Sequence, residues 1–322
     1  MSQLAVLFPG QGAQFVGMCA DLLEHSPRVQ EMFRAASQQM GLDLAKITAQ
    51  GPEELLNSTA VSQPAIFVVS LAVVQTLEER GAARSLAAIG TAGLSLGEYS
   101  ALVFVGALSF ESALELVVRR GEYMQEACDA HPSGMLSVIG LDWSVVREVV
   151  AEASSEGVVA VANVNSERQI VISGEHAALE RAAHLAEERG AWRVVPLKVA
   201  GAYHSPLMAS ATKKLRPYLE QVQIHTPKLP FYANVTAQPV SDPEIIRDGL
   251  LRQIESPVLW APTLQALQES GMDSVVEPGP GRVVAGLVKQ FRRRLPTSSL
   301  LTSDSIEEFL AVTQAKDSTG RN

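Results

Sequence analysis

Apolar and polar residues follow several distinct rhythms along this chain, and each predicts an element. "LAVLF" (4–8) is an unbroken apolar run ending at Pro9-Gly10, which predicts a buried strand entering a turn. A helix is expected soon after it, and another at "SPRVQEMFRAASQQM". "QPAIFVVSLAVVQTLEERG" (63–81) is apolar nearly all round, so it predicts a buried helix closed by Gly81. "SLAAIGTAG" then predicts a small-residue strand feeding a tight turn at 93–97, and "GEYSALVFVGAL" an interior helix.

Residues 134 to 197 have another texture. "GMLSVIG" reads as a strand and "DWSVVREVVAEASSEG" as a helix capped by Asp142. "VVAVANV" and "RQIVISG" read as strands joined across Asn165-Ser166-Glu167. "EHAALERAAHLAEERG", closed by Gly190, reads as a second helix, and "AWRVVPL" as a last strand. The order β-α-β-β-α-β is that of a ferredoxin-like split motif. It looks inserted, because an α/β pattern resumes with "LPFYANV" (229–235) and "MDSVVEPGPG" (272–281). The tail "AKDSTGRN" is expected to fray.

Composition narrows the classes. The 322 residues suffice for two domains, or for one large domain carrying an insertion. At 47% hydrophobic and 19% charged the chain can bury a sizeable core. A net charge of −9 argues against nucleic acid as a partner. Cys19 and Cys128 supply neither a disulfide framework nor metal-ligand spacing, which favours a reducing, cytoplasmic home. "MSQLAVLFPGQG" lacks a signal peptide's charged start, and no stretch is expected to reach the roughly 18 apolar residues that span a bilayer.

The chemistry centres on "TAGLSLGEYSAL" (91–102). Strand, sharp Gly-x-Ser-x-Gly turn and buried helix are the setting of a nucleophile elbow, with Ser95 at its tip. A serine hydroxyl needs a base and donors for an oxyanion. Of six histidines, His25, His176 and His184 lie in helical stretches and His131 and His225 in loops, all read as surface or structural. His204, in "KVAGAYHSPLM", follows an apolar strand in a Gly-Ala turn, where α/β sheets collect functional groups. The Gly-rich loop "FPGQGAQ" (8–14) lets backbone N–H groups approach a substrate. Its spacing fits neither the dinucleotide fingerprint nor a P-loop. "EPGPGR" (277–282) reads as a turn and helix start. Arg119 and Arg120 are either a solvated face or, at a helix end beside Gly121, a fork for a carboxylate.

Taken with their order, "FPGQGAQ", "GLSLGEYSAL", "RRGEYMQEA", "NVNS", "GAYHSPLM", "RQIESPVLW" and "EPGPGRV" resemble the malonyl-CoA:acyl-carrier-protein transacylase family over essentially the whole chain. The resemblance implies an α/β-hydrolase-like large domain (1–127 and 198–322) with an inserted ferredoxin-like small domain (128–197). It implies Ser95 as the acylated nucleophile, His204 as base and later acid, and Gln253 as the position whose carbonyl orients the histidine. Gln11 and Leu96 would supply oxyanion-hole amides and Arg120 would hold the malonyl carboxylate. Asn163 and Asn165 would line the cleft, and Tyr203 stands where malonyl-selective members tend to carry Phe. The implied reaction is ping-pong from malonyl-CoA to the phosphopantetheine thiol of an acyl carrier protein, with no cofactor, metal, nucleic acid or membrane. "KQFRRR" offers Lys289, Arg292, Arg293 and Arg294, on a helix near the C-terminus, to an acidic carrier protein.

The chain departs from the family's Gly-His-Ser-Leu-Gly in one place: Leu94 replaces the His. Leu cannot hydrogen-bond, so altered rate, hydrolysis or acyl preference is expected. The alternatives are an acyl hydrolase of the same fold, which would have no use for Arg120, and a catalytically weakened docking subunit, which Leu94 would favour.

Overall fold

The computed structural model describes residues 3–82 and 88–319. Its strands are β1 (Leu4–Phe8), β2 (Ala88–Gly93), β3 (Ser133–Ile139), β4 (Val159–Ser166), β5 (Gln169–Glu175), β6 (Arg193–Pro196), β7 (Phe231–Tyr232), β8 (Pro239–Val240), β9 (Ser274–Pro278) and β10 (Thr297–Leu300). They form a six-stranded sheet of order β10-β9-β1-β2-β7-β8 and a four-stranded sheet of order β4-β5-β3-β6. In the large sheet every pairing is parallel except β7 with β8. The small sheet is antiparallel throughout, in the ferredoxin-like order.

The unbroken apolar character of β1 follows from its place near the middle of the large sheet, where both faces are covered. Leu4, Val6 and Phe8 enter one core cluster with the helix Thr59–Glu79. Ala5 and Leu7 enter another with the helices Trp260–Glu269 and Val283–Phe291. A third cluster, including Val138, Val161, Ile170 and Ile172, belongs to the small sheet and its helices Trp143–Ala153 and His176–Glu188. β4 of the small sheet is stitched to the segment before the helix Trp260–Glu269, where Val164 N–H donates to Val258 O and Val258 N–H to Ala162 O, both at 2.9 Å.

Several sequence expectations need correction. The helix Thr59–Glu79 is long and apolar enough to cross a membrane, contrary to the expectation that no stretch would be. It is buried within the protein, and its apolar surround is the core itself. The "SLAAIGTAG" strand is seen from Ala88, its first residues lying outside the described ones. "LPFYANV" gives only Phe231–Tyr232, because the backbone folds back at once to pair Ala233 N–H with Gln238 O. Asn165 and Ser166 belong to β4, not to the turn after it. Asp142 occupies the helix N-cap but makes no capping bond, its carboxylate facing Arg168 at 3.4 Å instead. The last helix, Ser303–Thr319, runs through most of the tail expected to fray.

Candidate active site

β1 and β2 end side by side, so the Gly-rich loop and the turn at 93–97 meet at the carboxyl edge of the large sheet. The turn is as tight as its glycines demand. A Cβ on Gly93 would lie 1.9 Å from the Gly97 carbonyl carbon, and one on Gly97 would lie 2.5 Å from Phe8 O. Ser95 itself sits at φ 52°, in the left-handed region that non-glycine residues rarely adopt. Its N–H is held by Asn234 Oδ1 at 2.8 Å, and Asn234 Nδ2 donates to Gly93 O at 2.8 Å. The helix Gly97–Phe104 starts directly beyond.

His204, also left-handed at φ 58°, arrives on the loop after β6. Its Nε2 lies 2.8 Å from Ser95 Oγ and its Nδ1 2.8 Å from the backbone carbonyl of Gln253. A carbonyl only accepts, so Nδ1 carries the hydrogen and a neutral ring presents a bare Nε2 to the serine. Burial, reinforced by the neighbouring Arg120 charge, pulls His204 from its ordinary 6.5 down to about 4. The imidazole is therefore neutral at pH 7 and able to take a proton.

Arg120 is not at a helix end. It stands within Phe110–Ala130, and Gly121 serves close helix packing, since a Cβ there would lie 2.9 Å from Thr59 O. Its neighbour Arg119 faces outward, pairing with Glu122 at 3.2 Å and lying over the Tyr218 ring. Arg120 is 1% exposed and donates from Nη2 to Ser95 Oγ at 3.1 Å and to Gln253 Oε1 at 2.9 Å. Its Nη1 donates to Gln63 Oε1 at 2.5 Å. Gln253 thus acts twice: its main chain holds His204 and its side chain holds Arg120. The Tyr203 hydroxyl contacts Thr59 Oγ1 at 2.5 Å and accepts from Gln11 Nε2 at 3.2 Å, tying the Gly-rich loop to the residue before His204. Among the described residues the amides of Gln11 and Leu96 have no protein acceptor.

Not every residue singled out in the sequence joins this group. Asn163 and Asn165 are half-buried on β4, where Asn163 bridges to Val258, and neither bonds to the Ser95 cluster. Leu94 packs into the apolar cluster of Ala92, Val258 and Trp260 on the other side of the turn. Lys289 closes the helix Val283–Phe291, whereas Arg292 to Arg294 lie beyond its end, exposed and without an ion pair among the described residues. Glu277, in "EPGPGR", caps that helix by accepting from the Val284 and Ala285 amides.

Sequence reasoning missed Gln63, Glu98 and Asn234. Glu98 accepts from Asn234 N–H at 2.5 Å and from Gln253 Nε2, and burial pushes its carboxyl up to about 8. Each has a faint signal: Gln63 opens a long apolar stretch, Glu98 is the one charged residue in "GLSLGEYSALVF", and Asn234 follows a short strand.

A Ser–His pair on a strand-to-helix elbow, at the carboxyl edge of a parallel sheet with a split β-α-β-β-α-β unit inserted, defines an acyl-transfer class of protein. Residues 6–307 match the acyl transferase domain, and the chain belongs to the malonyl-CoA:acyl-carrier-protein transacylase family. It is 39% identical over 318 residues to the malonyl CoA-acyl carrier protein transacylase of Bacillus subtilis, covering 98% of each chain. It superposes on an acyl carrier protein S-malonyltransferase from Vibrio cholerae with a TM-score of 0.91 at 37% identity, covering 96% of this chain and 100% of that one. A malonyl-transacylase solved with a type II polyketide synthase acyl-carrier protein matches at TM-score 0.89 and 39% identity, over 95% of this chain and 98% of that one.

Proposed function

We propose that the protein transfers a malonyl group from malonyl-CoA to the phosphopantetheine thiol of an acyl carrier protein, through an ester on Ser95. The observation that carries this reading is Arg120. A full charge 1% exposed, with Nη2 at 3.1 Å from Ser95 Oγ, calls for an anionic group on the acyl chain beside the reacting carbonyl. An acyl hydrolase clearing plain chains has no use for it. A docking subunit has no use for an intact Ser95–His204 hydrogen bond.

Ser95 Oγ gives its proton to His204 Nε2 as it attacks the thioester carbon. The oxygen that becomes negative is received by the Gln11 and Leu96 amides. The C–S bond then breaks, and coenzyme A leaves as its thiol with the proton from His204. In the second half the carrier thiol gives its proton to Nε2 and attacks the Ser95 ester. The C–O bond breaks and the proton returns to Oγ. Lys289 and Arg292 to Arg294 offer an acidic carrier protein a basic patch. The two free, buried cysteines fit a cytoplasmic setting.

Intact mass after incubation with malonyl-CoA should show a malonyl adduct on Ser95 that holo carrier protein discharges. An adduct that decays to free malonate without carrier would replace this reading with the hydrolase, and no adduct from folded protein would replace it with the docking subunit. Replacing Arg292 to Arg294 by Ala should raise KM for the carrier protein while leaving malonyl-CoA loading unchanged.

A further inference from the structure

Arg120 carries its charge into the interior with no carboxylate bonded to it among the described residues. Its two terminal nitrogens are held by the side-chain carbonyls of Gln63 and Gln253, both fully buried. Its Nε has no hydrogen-bond partner among the described residues, and the Tyr99 ring lies 5.8 Å from its central carbon. The amides cannot reverse freely. Gln253 Nε2 donates to Ser95 O at 2.9 Å and to Glu98, so Oε1 is left to face the guanidinium. Gln63 Nε2 faces Gln11 Oε1 at 3.5 Å and Met124 Sδ at 3.6 Å, which likewise turns its Oε1 toward Arg120. Glu98 stands one amide further out, bonded to Gln253 Nε2 and not to Arg120, and burial pushes its carboxyl up to about 8.

We infer that Gln63 and the side chain of Gln253 are specificity-determining positioning residues: two neutral carbonyls fix the guanidinium in place without cancelling its charge, which reserves that charge for the carboxylate of the acyl group. The inference rests on the malonyl-transfer reading above. A carboxylate at either position would make a charge-assisted bond to Arg120 and satisfy it before substrate arrives. A malonyl group would then give up its hydration for little return, while an acetyl group would lose nothing. An apolar side chain would leave the charge available but the fork unanchored. A neutral acceptor alone meets both requirements.

The test compares loading of Ser95 from malonyl-CoA and from acetyl-CoA, as kcat/KM, in the wild type, Gln63→Glu and Gln63→Met. The malonyl-to-acetyl ratio should fall by at least ~10-fold in Gln63→Glu and by less in Gln63→Met, the loss falling on malonyl more than on acetyl in both. Equal loss with both donors would reduce Gln63 to a structural residue, and an unchanged ratio in Gln63→Glu would overturn the inference outright. Should the buried Glu prevent folding, the near-isosteric Met variant decides alone, because loss of anchoring must lower malonyl loading more than acetyl loading. A wild type that loads no malonyl sinks the transfer reading itself, whereas one that prefers malonyl and keeps its preference in Gln63→Glu sinks only this inference.

Discussion

Leu94 and Ser95 are adjacent in the chain and enter two unlike interiors. Leu94 joins an apolar cluster with Leu7, Tyr232, Val258 and Trp260, on the face of the sheet covered by the helices Trp260–Glu269 and Val283–Phe291. Ser95 joins a hydrogen-bonded group in which His204, Arg120, Gln253, Glu98 and Asn234 are all buried. One side of the elbow stabilises by removing apolar surface from water. The other spends stability on desolvated charges and a left-handed serine, held by the hydrogen bonds of Asn234, His204 and Arg120 around it. Folding and chemistry are thus separable within one turn of chain, and variants should separate them.

His204→Ala should give the largest effect, cutting single-turnover loading of Ser95 by about 10³- to 10⁴-fold while leaving the urea midpoint nearly in place. Loading that survives within tenfold would show that the polar side is not the reactive one. Trp260→Ala should do the reverse. It opens a cavity in the apolar cluster and costs ~3–5 kcal/mol in urea unfolding, with loading by the remaining folded protein within about tenfold of wild type.

Leu94→His sharpens the comparison by restoring the residue usual in the family. Because position 94 packs on the apolar side, the expected result is a loss of ~1–2 kcal/mol and no gain in loading rate. A tenfold acceleration would mean that residue 94 reaches across the turn into the polar group.

The smallest effect concerns pH. His204 must be neutral to accept a proton, and its value lies near 4 rather than the ordinary 6.5. Loading should therefore hold from pH 8 down to about 5 and fall only below that, whereas an ordinary histidine would place the acid limb near 6.5. Stability carries the same sign: unfolded His204 takes up its proton near 6.5 and the folded residue only near 4, so stability declines as pH falls through that window. Glu98 acts oppositely. Its raised carboxyl favours the folded state below 4.5, and that contribution is lost as pH rises through about 8. A thermal-unfolding series from pH 4 to 9 checks both limbs.

Much of this was legible in the chain before any coordinates. The elbow could be read because glycine spacing, a small-residue strand and an apolar helix constrain each other locally. The inserted unit could be read because alternation in its strands is a period-two signal within a few residues. What escaped was the cross-chain part. Ser95 meets Asn234 across 139 positions and Arg120 meets Gln63 across 57, and no local pattern marks either pair. Arg120 could be read as lying within an apolar helix, but the alternative of a helix end beside Gly121 fails, because Gly121 here admits a neighbouring backbone instead of stopping the helix. The basic run at 289–294 was read wholly as helix, but the chain turns extended at Arg292 (φ −146°, ψ 100°).

The stitch between β4 and the segment at Val258 bears on how the two parts of the cleft are tied. Val258 is five residues beyond Gln253, and Val258 exchanges two backbone hydrogen bonds with β4 while Leu259 N–H reaches Asn234 O. A small domain fastened at that point cannot swing like a jaw without pulling on the segment that aims His204 and Arg120. The bonds at Val258 brace the small sheet against that segment, so a displacement of one is expected to be felt by the other.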